Sequence, residues 1–479
     1  MQLTSPDFPR NAAHALHDAA LQRALGNLKA GFPGKRAAAV ARLPEFEALR
    51  DLGRDLKNHI IEHLDYYLEQ FEASVQRQGG QVHWARDAEE ARAIILGICQ
   101  RAGAKTVTKG KSMVSEEIGL NEHLAAHGIE PIETDLGEYI IQLRGEHPSH
   151  IIAPAIHVNL DQVSDAFHQH HQQYGKHERQ TEPRALMNEA REILRDKFLR
   201  ADVGITGANF CIAETGQTVI VTNEGNGDLT QLLPRVHIAI TSIEKVVPTL
   251  EDAATFIRLL ARSATGQEIS VYTTFSAGGR RAEDLDGPEE FHVVLLDNGR
   301  SQMVGGEQQD MLRCIRCSAC MNHCPVYGAI GGHAYGWVYP GPMGSVLTPQ
   351  LVGIEHAAHL PNASTFCGRC ESVCPVRIPL PRLLRNWRAR EFERHLTPQG
   401  YRFGLRAWAW LTRRPALYCG LTRLGARLLR WLGGRSRRIR SLPLAGGWSA
   451  WRDMPAPQGR TFQALWAERQ RAAGMEGKR

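Results

Sequence analysis

No stretch of 18 apolar residues occurs in the chain; the nearest approach, Leu417 to Gly434, is broken by Arg423, Arg427 and Arg430, so no transmembrane helix is expected. The N-terminus has no apolar run behind a basic start, and Asp7 and Asp18 are out of place in an acid-poor transit peptide. A cytoplasmic protein is expected. Cysteine is scarce outside one window: Cys99, Cys211 and Cys419 are scattered, while the other seven of the ten lie between 314 and 374. That distribution excludes a disulfide framework and marks a ligand set. Negative charge is scarce in the last fifth of the chain. From Arg382 to Arg479 there are 22 Lys and Arg against 5 Asp and Glu, a net of +17, leaving −11 on residues 1–381 within an overall +6.

Motifs for nucleotide and hydrolytic chemistry are also missing. Gly225-x-Gly227 has Thr230 where a dinucleotide fingerprint needs its third glycine, and six residues intervene between Gly103 and Gly110-Lys111-Ser112 where a P-loop has four. No H-E-x-x-H occurs. His157, His168, His170, His171 and His177, set among glutamines, read as a solvated polar face. No nucleic-acid partner is expected.

What is present is a globular composition, 43% hydrophobic and 23% charged over 479 residues, enough for several domains. Residues 1–65 read as a helical N-terminal arm broken at Pro9, Pro33 and Pro44. Residues 66–300 alternate helix and strand. Helix candidates are 87–103, 183–199 and 250–264. Strand candidates are 106–108, 139–142, 151–152, 219–222, 237–240, 271–274 and 291–296. This alternation predicts an α/β domain with a mostly parallel sheet. Residues 305–385 hold the cysteines in a Gly- and Pro-rich segment. Residues 386–479 form a basic C-terminal tail rich in tryptophan, among them Trp387, Trp408, Trp410, Trp448 and Trp451, with loops around Pro443 and Pro455. In the tail Leu417, Leu421, Leu424, Leu428 and Leu432 make one helical stripe flanked by arginines. Such a helix suits a peripheral membrane surface, an acidic partner or the protein's own acidic body.

The cysteine window is the strongest signal. Cys314-x2-Cys317-x2-Cys320-x3-Cys324-Pro325 has the spacing of a bacterial [4Fe-4S] site, in which the fourth cysteine ligates the other cluster of a pair. The second run, Cys367-x2-Cys370-x3-Cys374-Pro375, has Ser364 where its first cysteine would stand. Cross-ligation assigns Cys314, Cys317, Cys320 and Cys374 to cluster 1, and Cys324, Cys367 and Cys370 to cluster 2. Cluster 2 then lacks a fourth Cys. Ser364, an exogenous ligand or a three-iron form are its alternatives. A zinc knuckle uses paired C-x2-C units and fits this run poorly. Two iron-sulfur clusters, [4Fe-4S], are therefore the expected cofactors.

A substrate site is harder to place. A small carboxylate needs cationic or amide donors in a partly enclosed pocket. Lys109, Lys111 and Ser112 at a strand-to-helix turn supply them, with Asn223 and Asn226 from a neighbouring turn and Glu214 as a candidate proton acceptor. The same residues also read as a solvated loop, a helix cap and polar turns between strands.

KGKSMVSEEIGLNEHL (109–124), GIEPIETDLGEYIIQL (128–143), HIIAPAIHVN (150–159), GITGANFCIAETGQTVIVTNEGNGDL (204–229) and the cysteine segment 314–349 resemble the lactate-utilisation iron-sulfur protein family over nearly the whole chain. The resemblance implies an α/β domain similar to the sugar-isomerase and CoA-transferase-like folds, followed by an α-helical dicluster ferredoxin domain. It implies an electron-transfer role in oxidising L-lactate to pyruvate alongside other subunits of a lactate-utilisation complex. It carries the cluster pattern onto the same seven cysteines. Two rival readings remain at this stage: the chain is itself the lactate-binding dehydrogenase, or it is a scaffold whose clusters are structural.

Overall fold

Strands between residues 81 and 296 build two sheets. They are β1 (Gln81–Ala85), β2 (Thr106–Gly110), β3 (Glu130–Glu133), β4 (Val203–Gly207), β5 (Phe210–Ile212), β6 (Gln217–Thr222), β7 (Val236–Ser242), β8 (Val246–Val247), β9 (Tyr272–Ser276) and β10 (Glu290–Leu296). The larger sheet has the order β1-β10-β7-β4-β2-β3, and every pairing in it is parallel. Its central strands β4 and β7 are buried at every position, as expected where helices cover both faces. From β2 the chain steps to β3 on one side and to β4 on the other, so the winding reverses between β2 and β4. The carboxyl ends of strands at such a reversal are where open α/β sheets hold ligands. The smaller sheet, β8-β5-β6-β9, is mixed: β6 runs antiparallel to β5 and β9, and β8 runs parallel to β5.

A computed structural model describes residues 3–442, 449 and 452–476. The chain divides into two compact units, Met1–Glu393 and Arg394–Arg479. In the first, the helix Ala88–Arg101, capped by Asp87 accepting from the Glu90 amide, lays Ala91, Ile95 and Ile98 on Val107, Ile205, Ile238 and Val294 of the large sheet. The N-terminal helices brace the cysteine segment. Leu25 and Leu28 pack with Tyr327, Ile330 and Tyr335, and Arg50 donates to the carbonyls of Ser372 and Cys374. This packing explains why Pro33 does not break the chain as expected: it lies inside the helix Ala19–Ala41, where buried contacts outweigh one missing backbone donor.

Two strand expectations fail. Tyr139 to Gln142 belong to the helix Leu136–Leu143, whose start is fixed by the Asp135 carboxylate accepting from the amides of Gly137 and Glu138. Ile151 and Ile152 lie in a bend, not a strand. His171 is not on a solvated face either: it is fully buried, with Nε2 at 2.9 Å from Tyr139 Oη and Nδ1 at 2.6 Å from Glu189.

The second unit contains the helices Gln399–Thr412, Pro415–Leu432 and Phe462–Glu476. On Pro415–Leu432 the five stripe leucines are 49–53% exposed. Pro443, Trp448 and Trp451 lie outside the described residues. Among the described residues no helix is long and apolar enough to cross a membrane.

Candidate functional site

Cys314, Cys317, Cys320 and Cys374 line one small cavity of ≈ 20 Å³. Local backbone makes this convergence. Arg316 and Ser318 adopt the left-handed conformation (φ 59° and 62°), curling the first run so that its thiols face one void. The turned amides then point at sulfur: Arg316 N–H donates to Cys314 Sγ at 3.4 Å and Ile378 N–H to Cys374 Sγ at 3.3 Å. Burial, reinforced by the neighbouring thiols, raises the pKa of Cys317 and Cys320, and that of Cys374 to about 11. Unmetallated, the site is an unfavourable place for thiolate, a cost that metal binding relieves.

The remaining three thiols form a second group. Cys370 senses Cys324 and Cys367 electrostatically, and burial lifts its pKa to about 12. Phe366 (φ 54°) and Gly368 (φ 76°) shape this loop. Ser364 Oγ accepts from the Phe366 amide at 3.2 Å, and its carbonyl accepts from Arg388, whose guanidinium lies 4.1 Å from the Phe366 ring centroid. Cys367 is the one exposed cysteine among the described residues. Soft thiolates with amide donors behind them are the donor chemistry that iron-sulfur clusters require, and the residues present fit such groups.

A second cavity, ≈ 180 Å³, opens at the carboxyl ends of β2, β4 and β7. Gly207 is required there: a Cβ would lie 2.5 Å from the Lys111 carbonyl oxygen, blocking the close passage of β4 beside the turn after β2. Of the residues singled out from sequence, Lys111, Ser112 and Asn223 line this cavity. The Lys111 ammonium pairs with Asp135 and, at 3.3 Å, with Glu224; burial lowers its pKa, but these carboxylates hold it above the usual value. Ser112 caps the helix Met113–Glu117 by accepting from Ser115 N–H. Asn223 exchanges side-chain hydrogen bonds with Gln267.

The others lie elsewhere. Lys109 is 1% exposed and occupied by Glu133 at 2.6 Å, Glu116 at 2.7 Å and Ser115 at 2.9 Å. Asn226 begins the helix Asn226–Leu232, nearly buried, and is not part of the cavity wall. Glu214 is exposed in the β5–β6 turn, also away from that wall.

Sequence reasoning missed Lys245, Arg316, Glu138 and Tyr339, all of which line the larger cavity. Arg316 reaches Glu244 at 3.1 Å and lies 4.9 Å from the Tyr339 ring centroid. Glu244 also meets Arg300 at 3.2 Å, and the fully buried Arg300 grips Glu117 at 2.6 Å, to which Tyr339 Oη donates at 2.6 Å. Burial would raise the Glu244 pKa; the guanidiniums of Arg300 and Arg316 outweigh it and hold the value at about 2. Glu138 shows the opposite balance, lifted well above the carboxylate range by burial and by Glu133 and Asp135. Arg316 and Ile151 line both cavities, so a single layer of side chains separates them. The only cue in the sequence was that Arg316 sits between two cysteines; Lys245 carried none.

Two thiol groups within one loop-rich segment, packed against a parallel α/β sheet, define an iron-sulfur protein of the dicluster class, and residues 310–378 match the family model of the 4Fe-4S dicluster domain. Residues 68–296 match the LUD domain and residues 395–471 match "Lactate utilisation protein B, C-terminal". The chain belongs to the lactate utilization protein B family. It is 41% identical over 459 residues to lactate utilization protein B of Oceanobacillus iheyensis, covering 95% of both chains, and 39% identical over 479 residues to that of Bacillus licheniformis, covering 99% of both. It is also 39% identical over 470 residues to the uncharacterized electron transport protein YkgF of Escherichia coli K12, covering 98% of both. Among solved structures, a DUF162 family protein from Deinococcus radiodurans is similar with a TM-score of 0.28 and 15% identity, over 49% of this chain and 98% of that one.

Proposed function

We propose that the chain is the iron-sulfur electron-transfer subunit of a cytoplasmic complex that oxidises L-lactate to pyruvate. The observation that carries the reading is the convergence of Cys314, Cys317, Cys320 and Cys374 on one cavity whose wall is shared with the ligand-sized cavity of the α/β sheet. When bound, each cluster takes up and returns a single electron. The first cluster belongs to these four thiols and the second to Cys324, Cys367 and Cys370, with Ser364 or an exogenous group as its remaining ligand. The chain's own residues set the electrostatics. Arg36, Arg50, Arg313 and Arg316 surround the first site through bonds to its loop carbonyls or to Glu244, and this fixed positive charge favours the more negative, reduced state.

Anaerobic co-purification from the source cells, followed by lactate-driven dye reduction with and without the co-purifying subunits, tests the reading. Reduction that needs both this chain and its partners is expected. Full activity of the partners without this chain would overturn it.

A further inference from the structure

Lys245 ends the short turn Ile243–Lys245 that follows β7, at the carboxyl edge of the large sheet. It is 4% exposed and lines the ≈ 180 Å³ cavity, and its ammonium makes no hydrogen bond or ion pair to any described residue. The other buried lysines are engaged: Lys57 donates to the Glu244 carbonyl at 2.5 Å, and Lys109 sits between Glu116 and Glu133. Burial, with the Arg316 charge nearby, pushes the Lys245 pKa down to about 8. Arg316 opposes its charge while Glu244 and Cys314 favour it, and with no hydrogen bond of its own the ammonium keeps its donors free for an incoming anion.

The cavity states what that partner must be. Glu244 already serves Arg300 and Arg316, and Asp135 already serves Lys111, which leaves Lys245 as the open cationic position. Ile152, Ile240 and Leu260 also form part of the wall, so the ligand carries a short apolar portion beside its negative charge. At about 30 Å³ per water, the volume corresponds to roughly six waters, room for a small organic acid.

We propose that this cavity is a binding site for a short-chain monocarboxylate, with its carboxylate on Lys245 Nζ and its chain against Ile152, Ile240 and Leu260, one side-chain layer from the Cys314 site. The inference rests on the lactate reading only for the choice of acid; the cavity and its unpaired cation stand independently of it.

The test uses the anaerobically purified full-length protein with its clusters in place, titrated calorimetrically with sodium L-lactate, pyruvate, propionate and formate. Saturable binding of the three-carbon acids is expected, weaker for formate, which has no chain to place on the apolar wall. In Lys245→Met the affinity falls about tenfold or more, as for loss of one charge-assisted hydrogen bond, with iron content and circular dichroism unchanged. As a second readout on unaltered protein, L-lactate slows reductive methylation of Lys245 by formaldehyde relative to the exposed Lys105. Ligand also perturbs the EPR signal assigned to the Cys314 site. Equal affinity for all four acids, unchanged affinity in Lys245→Met, or no protection of Lys245 overturns the site. If the complex is still reduced by lactate while this chain binds no acid, the site fails and the electron-transfer reading survives. Binding without lactate-driven reduction is the reverse.

Discussion

Glu244→Gln removes the carboxylate that the Arg300 and Arg316 guanidiniums share inside the protein. Its shape is retained and only the charge is lost. Lowering the carboxyl pKa from its ordinary 4.5 to about 2 corresponds to about 3 kcal/mol of preferential interaction with the charged form. Uncovering the buried Arg316, and leaving Arg300 with Glu117 alone, places the expected loss at the same level, about 3–5 kcal/mol. Unfolding entropy of about 2.1 cal/mol/K per residue, over the unit Met1–Glu393, makes that a fall of about 4 °C in its thermal transition. Anaerobic calorimetry at neutral pH reads the shift directly. The sign with pH follows from the depressed pKa: the stabilisation is complete above 4.5 and disappears as pH falls through about 2, so the two proteins converge in acid. The double variant Glu244→Gln with Arg316→Met recovers part of the loss, because Arg316 is the cation left without a carboxylate while Arg300 keeps Glu117. A single variant as stable as the parent at neutral pH, or a gap that widens in acid, would refute the reasoning.

Replacing Cys324 with serine damages the site of Cys367 and Cys370 and spares that of Cys314, although Cys320 is its nearest cysteine in sequence; iron counting with EPR checks this, and selective loss of the Cys314 signal contradicts it. His150 is fully buried, bonded to Asn322, with its pKa lowered to about 4 by burial, so the folded state excludes a proton that the unfolded state takes up. Stability therefore falls by about 3 kcal/mol as pH drops from 6.5 towards 4, and His150→Gln flattens that slope in acid titrations of the melting temperature. Replacing Arg423, Arg427 and Arg430 with glutamine weakens partition onto phosphatidylserine vesicles about a hundredfold in flotation assays, at about 1 kcal/mol per charge; equal flotation of parent and variant removes the membrane surface as the tail's target.

The parallel sheet was legible wherever strands carried dense β-branched runs, as in β7 and β10. It was not legible in β1 (QVHWA), an edge strand without a long apolar run, or in β4 (VGITG), where two glycines dilute the signal. Tyr139 to Gln142 misled for the converse reason: an aromatic beside isoleucines has strand propensity, but the Asp135 cap and burial on both sides of the turn make it helical. Cysteine spacing marked the thiol groups because ligand geometry is local in sequence. The larger cavity is assembled from strand ends far apart along the chain and from Arg316 across the segment boundary, and no periodicity announces such a convergence. Lys111 was visible through its turn; Lys245 followed an ordinary strand.

The exposed Cys367 makes the second thiol group its own gauge of occupancy. A thiol engaged as a ligand resists alkylation, whereas a vacated one at the surface is open to reagent, so the rate at which iodoacetamide labels Cys367 reports the state of that group without any iron assay. The same accessibility sets the order of damage in air. Oxygen meets the exposed Cys367 before it meets the more buried thiols around Cys314, so in ageing preparations the labelling rate at Cys367 is expected to change before the Cys314 site does.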